Sequence, residues 1–67
     1  MSEDGYTIII KGEDGKYRGY SASASMNYSS REDYEKCPLE FEADGVENAI
    51  KEAQSIYHEY GFSFFNL

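Results

Sequence analysis

Hydrophobic and polar residues change their period along this chain, and the changes mark its elements. Tyr6, Ile8 and Ile10 alternate with Thr7, Ile9 and Lys11, the period of a strand with one buried face, which predicts a first strand over 6–11. Gly12-Glu13-Asp14-Gly15 interrupts it. Alternation resumes over 16–26, with Tyr20, Ala22, Ala24 and Met26 on one side and Tyr17, Gly19, Ser21, Ser23 and Ser25 on the other. A three-residue loop, Glu13-Asp14-Gly15 with Gly15 left-handed, pairs Ile8 with Tyr20 and Tyr6 with Ala22. Loops of two or four residues would divide the apolar surface between both sides of the hairpin. Ala22 and Ala24 then offer small side chains where a helix can approach closely, so this face of the second strand is expected to carry the helix.

From Asn27 to Pro38 the alternation breaks into turn formers and charges, with Ser30 and Asp33 placed to cap one short helical turn and Pro38 disfavouring helix at Cys37. Leu39, Phe41 and Ala43 point one way and Glu40 and Glu42 the other, which predicts a strand over 39–43 with an acidic outer face. Val46, Ala49, Ile50, Ala53, Ile56, Tyr57 and Tyr60 then fall on one stripe of a helix over 45–60. Asp44 is placed to cap it, Glu47 completes a capping box, and Gly61 supplies a left-handed end. Such a helix would be roughly 22 to 24 Å long. The aromatic run over 62–67 reads as a fourth strand, parallel to the third because a strand, helix, strand unit returns in that sense.

The expectation is an α+β fold: one domain over 1–67, a mainly antiparallel sheet of three to four strands in the order β-β-β-α-β, and one helix packed across one face. This order, with Tyr6-Thr7-Ile8-Ile9-Ile10, then Asp14-Gly15-Lys16-Tyr17, then Val46-Glu47-Asn48-Ala49-Ile50-Lys51-Glu52-Ala53, resembles the amino-terminal domain of HicB-type antitoxins. The resemblance covers about half the chain. It implies a domain that binds a small basic ribonuclease toxin and blocks its active site, with a separate DNA-binding segment for autoregulation.

Charge changes the picture. Thirteen acidic against six basic side chains give a net charge of −7. That excludes direct nucleic-acid or anionic-membrane binding as the expected function, since both depend on Lys and Arg meeting phosphates. It favours a basic partner or simple solubility. Eleven aromatics, seven of them Tyr, argue for a packed fold rather than an acidic disordered tail. One Cys and one His make neither an internal disulfide nor a zinc site, which points to a reducing compartment and no metal or cofactor. The first residues lack the cationic and apolar regions of a signal peptide, and no apolar run is long enough to span a bilayer, so a cytoplasmic location is expected.

Candidate chemistry is thin. His58 is expected on the exposed helix face, Cys37 as a half-buried structural thiol, and Glu13 and Asp14 as turn residues, so no catalytic set is expected. The arrangement of the acids is more informative. Glu40, Glu42 and Asp44 would repeat about every 6.7 Å along a strand, preceded by Glu32, Asp33 and Glu35. A row of carboxylates on a rigid scaffold can imitate a phosphate backbone and occupy the basic groove of a nucleic-acid-processing protein. In size and charge the chain resembles small phage inhibitors of restriction and CRISPR systems. The expected partner-binding residues are Tyr28, Glu32, Asp33, Tyr34, Glu35, Glu40 and Glu42, with the tyrosines as amphipathic anchors. Three alternatives stay open: a solvated acidic face that serves solubility, tyrosines that pack the loop onto the sheet, and a homodimer formed through a sheet edge.

Overall fold

The computed structural model describes residues 5–65. Strands β1 (Gly5–Lys11), β2 (Tyr17–Ser23), β3 (Leu39–Ala43) and β4 (Phe62–Phe64) form one sheet in the order β3-β2-β1-β4. Helix α1 (Arg31–Glu35) lies between β2 and β3, and α2 (Val46–Gln54) between β3 and β4. The fold is α+β with a mixed sheet: β1 pairs antiparallel with β2 and parallel with β4, and β2 pairs antiparallel with β3. β3 and β4 therefore run parallel, on opposite edges.

The hairpin follows the register that the apolar pattern demands. Ile8 pairs with Tyr20 and Tyr6 with Ala22, and the loop closes through the Gly12 N–H to the Lys16 carbonyl at 2.7 Å. Gly15 has φ 85°, a conformation that a side chain would strain. The faces are assigned differently from expectation. Ile9, Phe41 and Ala43 pack with Ala49 and Ala53 of α2, so the helix covers the face opposite to Ala22. Gly19 permits this approach, because the Phe41 ring occupies the space that a Cβ there would take.

Ile8, Ile10 and Ala22 form a second core on the other face, closed by Tyr6, Tyr20, Tyr28, Tyr34 and Phe65. The irregular segment with α1 is the cover here. Tyr28 and Tyr34 stack with ring centroids 4.4 Å apart, and Tyr34 meets Phe65 edge-on at 5.5 Å. β2 ends at Ser23 rather than near residue 26, and Met26 is exposed.

α2 is also shorter than its apolar stripe. It starts after Gly45, the N-cap, with no side-chain cap bond, so Asp44 does not cap it. It ends at Gln54, where the Ser55 hydroxyl turns back to donate to the Glu52 carbonyl at 2.7 Å. Ser competes with the backbone in this way, and the residues that follow, Ile56 and Tyr57, are weak helix formers. The freed segment Ser55–Gly61 becomes a turn, pinned by the Tyr60 N–H to the Gly5 carbonyl at 3.1 Å and the Thr7 N–H to the Gly61 carbonyl at 2.9 Å. Gly61, at φ 71°, ends this turn rather than the helix. β4 covers the first half of the aromatic run; residues 66 and 67 of the expected strand lie outside the described residues.

Candidate functional site

The hairpin tip and α1 meet at one end of the sheet. Gly12, Glu13, Asp14, Arg18, Arg31, Glu32 and Glu35 line an open groove of about 550 Å³ there. Its two guanidiniums are already engaged. Arg18 folds over Gly12 and bonds Asp14 and Glu42, both at 2.8 Å, while Arg31 bonds Glu35 at 2.9 Å along α1. The Arg18 hydrogen bond, with help from the Lys16 amide, holds the Asp14 carboxyl below the usual carboxylate range. Glu13 and Glu32 take no part in any ion pair among the described residues. Carboxylates therefore outnumber cations on a surface built by two segments that are remote in sequence.

Asp33 is held by its own loop. Its Oδ2 accepts from the Ser29 amide at 2.9 Å and the Ser29 hydroxyl at 2.8 Å, and these bonds lower its carboxyl affinity for protons. The capping thus runs backward from the expected sense: Ser30 occupies the N-cap position without a side-chain bond. Tyr28 and Tyr34 point into the second core. The Tyr6 hydroxyl donates to the Tyr34 oxygen at 3.3 Å, and the Tyr28 oxygen accepts from the Ser23 amide at 3.0 Å. Burial, reinforced by the Tyr34 bond, pushes the Tyr6 phenol far above its ordinary range.

The acidic row on β3 is broken. Register shifts between Gly19 and Tyr20, which pair with Phe41 and Leu39, so Glu40 is the extra residue of a bulge and its side chain is re-aimed. Glu42 stays outward on Arg18. Glu40 turns in, where Oε1 accepts from the fully buried Thr7 hydroxyl at 2.6 Å and Oε2 meets His58 Nε2 at 2.7 Å. The Glu40 and His58 side chains keep only 13% and 17% of their exposure. His58 is therefore not an exposed helix residue; it clamps the turn after α2 onto β1 and β3.

Sequence reasoning passed over this cluster because its parts sit on three elements and Glu40 reads as outward by parity. One signal was present: Thr7, a polar residue inside an isoleucine-rich strand, needs a buried partner. Glu13 and Asp14 read as turn residues, and only the folded hairpin carries them to α1.

Cys37 is a half-buried free thiol, 3.7 Å from the Tyr28 oxygen. No cluster of three or more His, Cys, Asp or Glu side chains suited to a metal exists among the described residues. Among those residues no helix is long and apolar enough to cross a membrane. No family model, curated protein or solved structure matches the chain.

Proposed function

We propose that the protein is a small acidic, non-enzymatic inhibitor that binds a basic, nucleic-acid-processing protein in the cytoplasm, imitating part of a phosphate backbone. The observation that carries this reading is the hairpin-α1 groove, where Arg18 is paired with Asp14 and Glu42 and Arg31 with Glu35, and Glu13 and Glu32 add carboxylates outside any ion pair among the described residues. A cationic surface approaching this end meets fixed negative charge, and long-range attraction speeds its arrival. Glu42 extends the surface beside Arg18. Of the residues named from sequence, Glu32, Glu35 and Glu42 fit the docking role best. Glu40 and Tyr34 serve by holding the scaffold, Tyr28 likewise, and Asp33 shapes the loop before α1.

The second reading is a HicB-like antitoxin module. The element order strand, strand, strand, helix, strand favours it once the single-turn α1 is set aside. It differs in its partner, a small basic ribonuclease.

The experiment is capture by the tagged chain from nuclease-treated host lysate at low and high salt, read by mass spectrometry. A salt-sensitive nucleic-acid enzyme supports the first reading, and a small basic ribonuclease the second. Recovery of only the chain itself, through its β3 or β4 edge, overturns both.

A further inference from the structure

The two edges of the sheet are unlike. β3 carries a bulge and two carboxylates, Glu40 and Glu42, devices that keep an edge strand from taking up another chain. β4 has neither. Residues 61–65 hold no charge and no proline, although the chain as a whole carries −7. The inner side of β4 is used: the Gly61 carbonyl accepts from the Thr7 amide and the Phe65 amide donates to the Ile9 carbonyl, both at 2.9 Å. Residues 61, 63 and 65 thus turn their backbone groups to β1. Direction alternates along a strand, which leaves the N–H and C=O of Phe62 and Phe64 facing the open side, and no described strand lies beyond them. The Phe62 and Phe64 side chains lie opposite Thr7 and Ile9 on the α2 side, half-buried and edge-on to each other at 6.3 Å, while Ser63 is exposed.

We propose that β4 pairs antiparallel with β4 of a second copy, about a two-fold axis through Ser63. Phe-Ser-Phe reads the same in both directions. In this register Phe62 faces Phe64 of the second copy and the two exchange their outward backbone groups, a closed pair of hydrogen bonds on each side of the axis. The phenylalanines meet across the join on the α2 side, and such cross-strand aromatic pairs are favourable. Ser63 meets its own copy in a non-hydrogen-bonded pair, with Cα atoms about 4.5 Å apart. A second copy is the occupant this strand specifies, because it sets Phe against Phe, Ser against Ser and no charge against charge. The two four-stranded sheets become one. Three residues a side make a small interface, so the dimer is weak, with half association on the order of 0.1 mM. The join uses none of the hairpin-end carboxylates, so it stands or falls apart from the inhibitor reading.

The test is sedimentation of the full chain from about 0.01 to 1 mM, with amide exchange over the same range. The mass should rise with concentration toward twice that of the monomer and no further, and exchange at the Phe62 and Phe64 amides should slow in step. The Phe65 amide, bonded to Ile9 in either state, should change little. Ser63→Lys is the decisive variant. Residue 63 is exposed, so the melt of the dilute chain should stay near that of the wild type. The added lysine reduces the magnitude of the −7 charge, which by itself would favour association. Facing its own copy, it should instead weaken the dimer by about tenfold or more, while Ser63→Thr keeps it. A monomer throughout the range overturns the proposal, as does a dimer that tolerates Ser63→Lys or leaves the Phe62 and Phe64 amides fast. Protection of those amides only when a different protein is bound puts a foreign strand on this edge and overturns it as well.

Discussion

The two faces of the sheet are closed by different means. Under α2, Ile9, Phe41, Ala43, Ala49 and Ala53 meet as apolar groups, with small alanines letting the helix sit low on the strands. Across the sheet, Ile8, Ile10 and Ala22 are covered by a segment with one helical turn, and tyrosines do the covering. Tyrosine suits that task because its ring buries apolar area while its hydroxyl bonds within the loop or to its neighbours. A 67-residue chain thus obtains two cores from one sheet without two long helices. The tyrosine-rich cover also carries α1 to the hairpin tip, so the packing of one face positions the acidic groove.

The strongest way to break this comparison is to empty the α2 face. Ile9→Ala should cost about 2 to 5 kcal/mol, because Ile9 is fully buried and the sheet cannot collapse onto the gap. Denaturant unfolding should show the domain close to its stability limit. Next comes the clamp beside that face. Thr7→Val keeps the shape but removes the donor to Glu40, at a cost of about 1 to 3 kcal/mol. Thermal melts should register it, and amide exchange should rise through Ser55–Gly61.

On the tyrosine face the expected loss is smaller. Tyr34→Phe keeps the stacked ring and loses the oxygen that accepts from Tyr6, about 0.5 to 1.5 kcal/mol by chemical denaturation. The same face should respond to alkali. Burial is the main cause that raises the Tyr6 and Tyr20 phenols, so the folded state holds their protons more tightly than the unfolded state. That stability is fully present below about pH 10, where the free phenol ionises, and falls as pH rises toward the folded values. Ultraviolet titration should show these phenolates forming together with loss of the folded circular dichroism, whereas Tyr34→Phe should lower the pH at which Tyr6 ionises.

Local pattern carried much of this fold. The hairpin was legible to the residue because a slip of one position would have moved Ile8 and Tyr20 to opposite sides, and β3 was legible because turn signals bound it. Which face α2 would choose was not legible. Ile8, Ile9 and Ile10 are all apolar, so alternation cannot rank the two faces, and Gly19 under Phe41 decides the matter only in three dimensions. The helix end was missed for a related reason: Ile56, Tyr57 and Tyr60 continue the stripe, yet Tyr57 and Tyr60 are exposed on the turn. Of the candidate site, the acidity of 32–35 and Glu42 was readable. The bulge that removes Glu40 from the row and the folding that brings Glu13 and Asp14 to α1 were not, because both depend on strand pairing.

Fixed charge at the hairpin-α1 end is what the proposed function relies on to capture a basic partner. Its most direct test is the affinity of the captured protein for the wild-type chain and for the double variant Glu13→Lys, Glu32→Lys, measured by calorimetry over a range of salt. Both residues are exposed and outside the ion pairs described, so the melting temperature should stay near that of the wild type. Binding should weaken at least a hundredfold, about 2.7 kcal/mol or more, with a flatter salt dependence. Unchanged affinity and an unchanged salt slope would contradict the proposed function.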